Sequence, residues 1–268
     1  MNPNDLSASL TSLAAGLGVV IAFMGIGLAI AQHMKKLTVV DTMWGIGFVL
    51  VAAETALIAS GGDGDPKLRW ILLAMTAAWG LRLSWHLHRR NSKLPEDPRY
   101  AELAEADGRP FVQVALMRVF VPQGIAMWLV ATPIMVGANN EDTPWWLIGL
   151  GLAVFTLGNV FEGVGDAQLA AFKSDPANKG KLMDQGLWRY TRHPNYFGDA
   201  CVWTGIWIVA AGSWVGLATV ISPIAMTIFL TKVTGAALNE KGMKKSKPGY
   251  EAYVARTSGF FPWKPKRS

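Results

Sequence analysis

The chain has 268 residues, about half of them apolar, 16% charged, with 12 Trp and a net charge of +6. With a positive mean hydropathy, this composition points away from an ordinary soluble domain. The single cysteine, Cys201, excludes an intrachain disulfide framework and a Cys-based zinc site, and inside an apolar run it reads as a small buried hydrophobe.

Spanning a bilayer takes about 20 apolar residues as a helix. Seven segments reach or approach that length: about 11–32, 38–60, 68–88, 114–137, 145–170, 196–212 and 214–233. The N-terminal MNPNDLSASL has no basic region, so Ser12 to Ala31 reads as a retained first span. Asp97-Pro98 marks a break before AELAEADGR, expected as a solvated or interfacial helix. Pro122 and Pro133 predict a kink in the fourth span. The last two segments are short and joined by Gly212-Ser213-Trp214, a tight helical hairpin. The polar stretches 89–113 and 171–195 and the tail from 234 are left to carry any aqueous chemistry. The expectation is one all-α polytopic membrane bundle over 1–268, with its cofactor-binding portion at about 159–263.

Alternate loops are basic. They carry Lys35 and Lys36; then Arg89, Arg90, Lys93, Arg99 and Arg109; then Lys173, Lys179, Lys181, Arg189 and Arg192; the tail adds eight more cations. The other loops hold Lys67 and Arg69 or are acidic, as in Asn139-Asn140-Glu141-Asp142. This asymmetry predicts an odd number of spans, with the N-terminus outside and the C-terminus cytoplasmic. Basic loops of this kind report topology and anionic lipid, not nucleic acid. Trp145, Trp146, Trp214 and Trp263 lie near element ends, where indoles favour the interface.

Ionisable groups inside a membrane are costly and need a partner or a cavity. Asp41 opens the second span and Glu54 lies deeper in it. Arg82 lies in the third and Lys232 at the end of the seventh, both placed to snorkel. Glu162 and Asp166 sit four apart on one face of the fifth span. Asp199 begins the sixth. Before it, GLWRYTRHPNYFGD (186–199) crowds Arg189, Tyr190, Arg192, His193, Asn195 and Tyr196 into a short run. Cations neutralise phosphates, and carboxylates and Asn accept from ribose hydroxyls, so this face suits an anionic nucleotide. No GxGxxG follows a strand and there is no P-loop, so such a ligand must lie between helices.

GDAQLAAFK (165–173) followed by GLWRYTRHPNYFGDACVW (186–203) resembles the steroid 5-alpha-reductase superfamily, in particular its bacterial DUF1295 branch. VVDTMWGIGFVLVA (39–52), WGLRLSWHLHRRN (79–91), EDPRYAEL (96–103) and FFPW (260–263) extend the resemblance along most of the chain. It implies a seven-helix membrane reductase that binds NADPH at a cytosolic-side cavity and reduces an enone-like lipid or steroid-like substrate. By motif, Asp166, Lys173, Tyr190, Asn195, Asp199 and Trp203 fall on the cofactor-lining positions, Lys173 standing where the reductases often have Arg. Glu162, Arg189, Arg192, His193 and Tyr196 join that cofactor-binding set. Glu54 is the implied polarising acid, with Asp41 competing and Tyr190 as a further catalytic candidate. The tail departs from the family, lacking its His and Y-P-x-x-R element; Tyr250, Tyr253 and Arg256 stand in.

RHPNYFG also resembles the R-H-P-x-Y-x-G motif of isoprenylcysteine carboxyl methyltransferases. That resemblance implies S-adenosylmethionine held by Arg192, His193, Tyr196 and Glu240, although Asn239-Glu240 replaces the usual acidic pair. A third expectation is a non-enzymatic lipid-binding membrane protein whose loop 186–199 holds an anionic headgroup.

Overall fold

The computed structural model describes residues 3–92, 94–233 and 235–266, without the side chains of 3–5, 233, 237–239 and 245. Lys93 of the basic loops and the side chain of Asn239 therefore lie outside the described residues. Among those residues the chain is helical, with no strand and one isolated parallel bridge, Thr191 to Ser258. Five segments are long and apolar enough to cross a membrane: Leu6–Met34, Val39–Ala59, Phe111–Gly137, Trp145–Ser174 and Trp214–Lys232. The helices expected at 68–88 and 196–212 form as well. The first is 26 residues long but less apolar than those five, and the second is 17 residues long.

The helices divide between two compact units, Met1–Ile148 with Ile206–Ser222, and Gly149–Gly205 with Pro223–Ser268. In the first, α1 (Pro3–Met34), α2 (Val39–Ala59) and α3 (Pro66–Asn91) pack in succession. Gly45 and Gly80 let α2 and α3 touch through backbone: a Cβ on Gly80 would lie 2.6 Å from the Gly45 carbonyl oxygen. Ser84 fills the adjacent gap and accepts from the Ile46 amide at 3.0 Å. The core of this unit is Phe48, Leu68, Leu72, Trp79, Met127, Ile134 and Met135. Arg69 is buried, its guanidinium donating to the Ala59 and Gly64 carbonyls where α2 ends. A cation there suits the negative end of the helix.

Asp-Pro pairs start two helices. Asp65 caps α3 and Asp97 caps α4 (Pro98–Asp107), each accepting from the amide two residues on, with Pro in the first turn. α4 has no buried residue, as its charge pattern predicts. The Glu96 carboxylate, just before it, accepts from the Leu37 and Thr38 amides and the Thr38 hydroxyl at the start of α2.

The fourth apolar segment is one helical stretch, Phe111–Gly137, whose winding changes along its length. It runs as α5 (Phe111–Val114), a wide π-helical stretch (Ala115–Phe120), α6 (Val121–Val130) and α7 (Thr132–Gly137). Pro122 and Pro133 sit just after the π stretch and just after the Ala131 turn, so each falls at an irregularity of the helix. Just past the π stretch, Gln123 accepts from the Trp44 indole and donates to the Tyr100 hydroxyl at 3.2 Å. Tyr100 donates in turn to Asp41 at 2.7 Å.

In the second unit, α8 (Trp145–Ser174) and α9 (Pro194–Ala210) meet along glycines seven apart, Gly151 and Gly158 on one, Gly198 and Gly205 on the other. A Cβ on Gly158 would lie 2.5 Å from the Gly198 carbonyl oxygen, and one on Gly205 would lie 2.6 Å from that of Gly151. Small residues permit this approach in a membrane, where lipid supplies no hydrophobic drive between helices. After α9, the Gly212-Ser213-Trp214 turn leads into α10 (Trp214–Ala218) and α11 (Ile221–Ile228), with Ser213 capping α10. Asn140 ties that turn within the first unit, donating to the Ala210 carbonyl and accepting from Ser213. A second wide stretch, Phe229–Val233, leads to α12 (Ala236–Ser246) and α13 (Tyr250–Arg256).

The glycine seam is testable by thermal denaturation in detergent. Gly198→Ala places a methyl against the Glu162 backbone and Gly158 carbonyl, and is expected to destabilise by about 1–3 kcal/mol. Gly149→Ala on α8 meets nothing within 4 Å and is expected to be neutral or to stabilise by up to about 1 kcal/mol.

Candidate functional site

The motif run folds against α8 through specific contacts. Gly186 adopts a left-handed φ of 58°, and a Cβ there would strike the Gln168 side chain. The Gln168 side chain instead accepts from the Leu187 amide at 2.9 Å, and the Trp188 indole donates to the Gly165 carbonyl at 3.0 Å. The chain leaves this turn through Thr191, whose hydroxyl accepts from the His193 amide, and Pro194 then begins α9. A residue before Pro is held out of helical conformation, so His193 stands just ahead of the helix.

This geometry assembles an acidic and amide cluster on α8 and α9. Glu162 and Asp166 are both buried on α8, one turn apart, and Asp199 is buried on α9. Asp166 accepts from the Asn195 side chain at 3.2 Å. Glu162 lies where Gly198 approaches, so the closeness of the two helices sets the cluster's spacing.

A second cluster joins the loop to α12. The Glu240 carboxylate accepts from Arg192 Nε and pairs with His193 Nε2, each at 2.9 Å and on the same oxygen. A carboxylate only accepts, so Nε2 carries the imidazole proton. Burial pushes His193 below its usual range, only partly countered by Glu240, and the ring is neutral at pH 7. Burial works against ionisation of Glu240. The hydrogen bonds from Arg192 and His193, with the Arg192 charge, outweigh it and hold the carboxyl below its usual range. The Tyr196 ring stacks on His193 at 5.4 Å. Burial pushes the Tyr250 hydroxyl up to about 12, and it sits beside Arg192 and Glu240.

The tail is stitched to the same loop. Arg192 donates from its amide to Ser258 and from Nη1 to Thr257, and Thr191 Oγ1 donates to Phe260 at 2.8 Å. The Tyr253 hydroxyl donates to the Trp188 carbonyl, and Arg256 pairs with Asp184. Tyr253 and Arg256 are thus engaged in fastening the tail.

The remaining expected residues distribute differently. Lys173, Arg189 and Tyr190 are exposed, while Trp203 is fully buried on α9. Asp41 and Glu54 belong to the first unit. Gln168, Asp184, Trp188 and Thr191 were not expected in structural roles here; only the αL-compatible glycine at 186 marks the docking turn in sequence. The pairing of 257–260 with 191–192 joins segments more than 60 residues apart and leaves no periodic signal.

A family model described as "Protein of unknown function (DUF1295)" matches residues 27–257. Among curated relatives, the chain is similar to "Steroid 5-alpha-reductase DET2" of Gossypium hirsutum, 35% identical over 29% of this chain and 30% of that protein. The protein of the same name from Solanum lycopersicum is 34% identical over 30% of this chain and 32% of its own length. "Probable O-methyltransferase ustE" of Ustilaginoidea virens is 32% identical over 30% of this chain and 28% of its length. The matched stretches therefore span about a third of these relatives or less. No solved structure gives a significant match.

The Glu240 clamp has a definite pH dependence. His193 has a folded pKa below its ordinary 6.5, so the unfolded chain binds more protons and stability falls as pH drops through about 6.5. Glu240 is also depressed, and its contribution, present above about 4.5, is lost only at more acidic pH. Melting curves from neutral pH downward should show both losses; His193→Asn should remove the first and Glu240→Gln the second.

Proposed function

The chain belongs to the DUF1295 family, and from that premise we propose that it is a membrane-embedded, NADPH-dependent reductase. Its substrate is an enone-like or unsaturated lipid-like molecule, reduced at an activated C=C. What carries this reading is the pair of buried Asp166 and half-buried Asn195, flanked by Glu162 and Asp199 on two closely packed helices. Acceptors and an amide in that arrangement suit the hydroxyls of a nucleotide ribose. The exposed Lys173 and Arg189 suit its phosphates. NADPH, when bound, supplies the hydride. The chain's own residues hold and orient the nucleotide: Asp166, Asn195 and Glu162 at its hydroxyls, Lys173 and Arg189 at its phosphates. The partial matches to proteins named steroid 5-alpha-reductase support the reductase class.

On the substrate side, we place Glu54 ahead of Asp41 as the acid that polarises a carbonyl. Asp41 already accepts from Tyr100 and faces Arg99 at 3.8 Å. Glu54 keeps a buried carboxylate oxygen with no hydrogen-bond partner among the described residues. Its other oxygen takes only a 3.4 Å contact from Thr55.

A second reading has its own observation. Arg192 and His193 converge on Glu240, the residues at which the methyltransferase resemblance places S-adenosylmethionine, and one relative is named a probable O-methyltransferase. Nicotinamide fluorescence of the purified protein separates the two. NADPH binding that S-adenosylmethionine does not displace supports the reductase; saturable binding of S-adenosylmethionine alone overturns it. Binding of neither favours the lipid-binding protein.

Asp166→Ala and Asn195→Ala are each expected to weaken NADPH binding by about 1–3 kcal/mol in fluorescence titrations, as for one lost hydrogen bond in a partly desolvated site. Unchanged affinity in both would remove the assignment. Glu54→Gln is expected to lower turnover of an enone substrate while leaving NADPH affinity intact, measured by nicotinamide oxidation. Full turnover in that variant would return the role to Asp41.

A further inference from the structure

We propose that residues 260–266 are an interfacial anchor for anionic lipid, and that its seating orders the loop bearing Arg192 and His193. This goes beyond the reading of the site and does not depend on which ligand the site takes.

The anchor starts on a helix with a lipid-compatible face. Leu157, Val160 and Val164 are exposed at helical spacing on α8, a segment apolar and long enough to cross a membrane. Phe161 lies beside that stripe and packs on Phe197 of α9 at 5.1 Å. Phe260 and Phe261 of the tail continue the series, at 6.0 and 6.1 Å from Phe197. The tail is thus attached where the apolar stripe meets the start of α9.

Beyond that point the tail turns amphipathic. Phe261 and Trp263 are 70% and 75% exposed, too much apolar surface to leave in water on a seven-residue strap. Lys264 and Lys266 follow, both exposed, with exposed Arg189 and half-exposed Tyr190 on the loop that the strap contacts. Residues 257–268 contain no carboxylate side chain. Aromatic rings with cations and no acid match the boundary of an anionic leaflet, rings at the headgroup level and ammonium groups toward phosphate.

The strap also holds the loop. Trp263 donates its amide to the Tyr190 carbonyl at 3.0 Å, and the Arg192 amide donates to Ser258 at 2.9 Å. Lys266 closes the far end by donating to the Arg256 carbonyl at 2.9 Å. Pulling residues 261–266 onto lipid therefore tightens the backbone on either side of Arg192.

The test uses the full chain in nanodiscs of phosphatidylcholine alone or with phosphatidylglycerol added. Amide exchange at Arg192 and Trp263 is expected to slow severalfold in the anionic discs. The double variant Lys264→Glu/Lys266→Glu should lose that slowing while exchanging like the parent in phosphatidylcholine. A spin label at Trp263→Cys in a Cys201→Ala background should be more accessible to oxygen than to a water-soluble nickel chelate. Equal exchange in both lipids, slowing that survives charge reversal, or a label that reads as fully aqueous overturns the proposal. None of these readouts involves nucleotide, so they stand or fall separately from the site's activity.

Discussion

The absence of three side chains governs the second unit. At Gly158 on α8 and at Gly198 and Gly205 on α9, the facing backbone comes within a distance that a Cβ would forbid. Lipid cannot squeeze helices together as water does, so the contact rests on dispersion and close backbone packing. Its chemical result is placement. Glu162 and Asp166 lie one turn apart on one helix, and Asn195 and Asp199 one turn apart on the other, held at a separation that the glycines set. A wider crossing would break the Asp166–Asn195 hydrogen bond and leave buried carboxylates unsupported, a costly state in a low-dielectric interior.

The second constraint is the fastening of an irregular loop. A stretch rich in cations and aromatic residues would stay mobile on its own. Here Gln168 and Gly165 hold it from α8, Glu240 from α12, and Thr257 to Phe260 from the tail. Each fastening uses a backbone group or a shared carboxylate oxygen, so the side chains of Lys173, Arg189 and Tyr190 stay exposed. Arg192 serves both purposes: its amide and Nη1 bind the tail, and its Nε binds Glu240.

Much of the helical framework was legible in the sequence. The apolar runs, the Asp-Pro break at 97–98, the prolines at 122 and 133 and the break at 212–214 each act through local chemistry, and each marks a boundary or an irregularity in the structure. The Glu162–Asp166 face was legible for the same reason, since helical spacing alone puts them together. What was not legible is contact between distant segments. Nothing local in GMKKSKPGYEAYVARTSGFFPW says that Ser258 pairs with Arg192 or that Tyr253 caps Trp188. The seam also escaped notice, because glycines spaced seven apart carry no hydrophobic signal and matter only through the helix they face.

The wide turn at Ala115–Phe120 gives the first unit a constraint of phase. A π-helical stretch accommodates one residue more than an α-helix would over the same rise. Forcing all six residues into regular α winding, with that extra residue no longer absorbed, would rotate everything after it by about 100°. Gln123 would then swing away from Trp44 and Tyr100, and Asp41 would lose the buttress behind its phenol partner. Membrane thickness tolerates so small a change of length readily; rotational register does not.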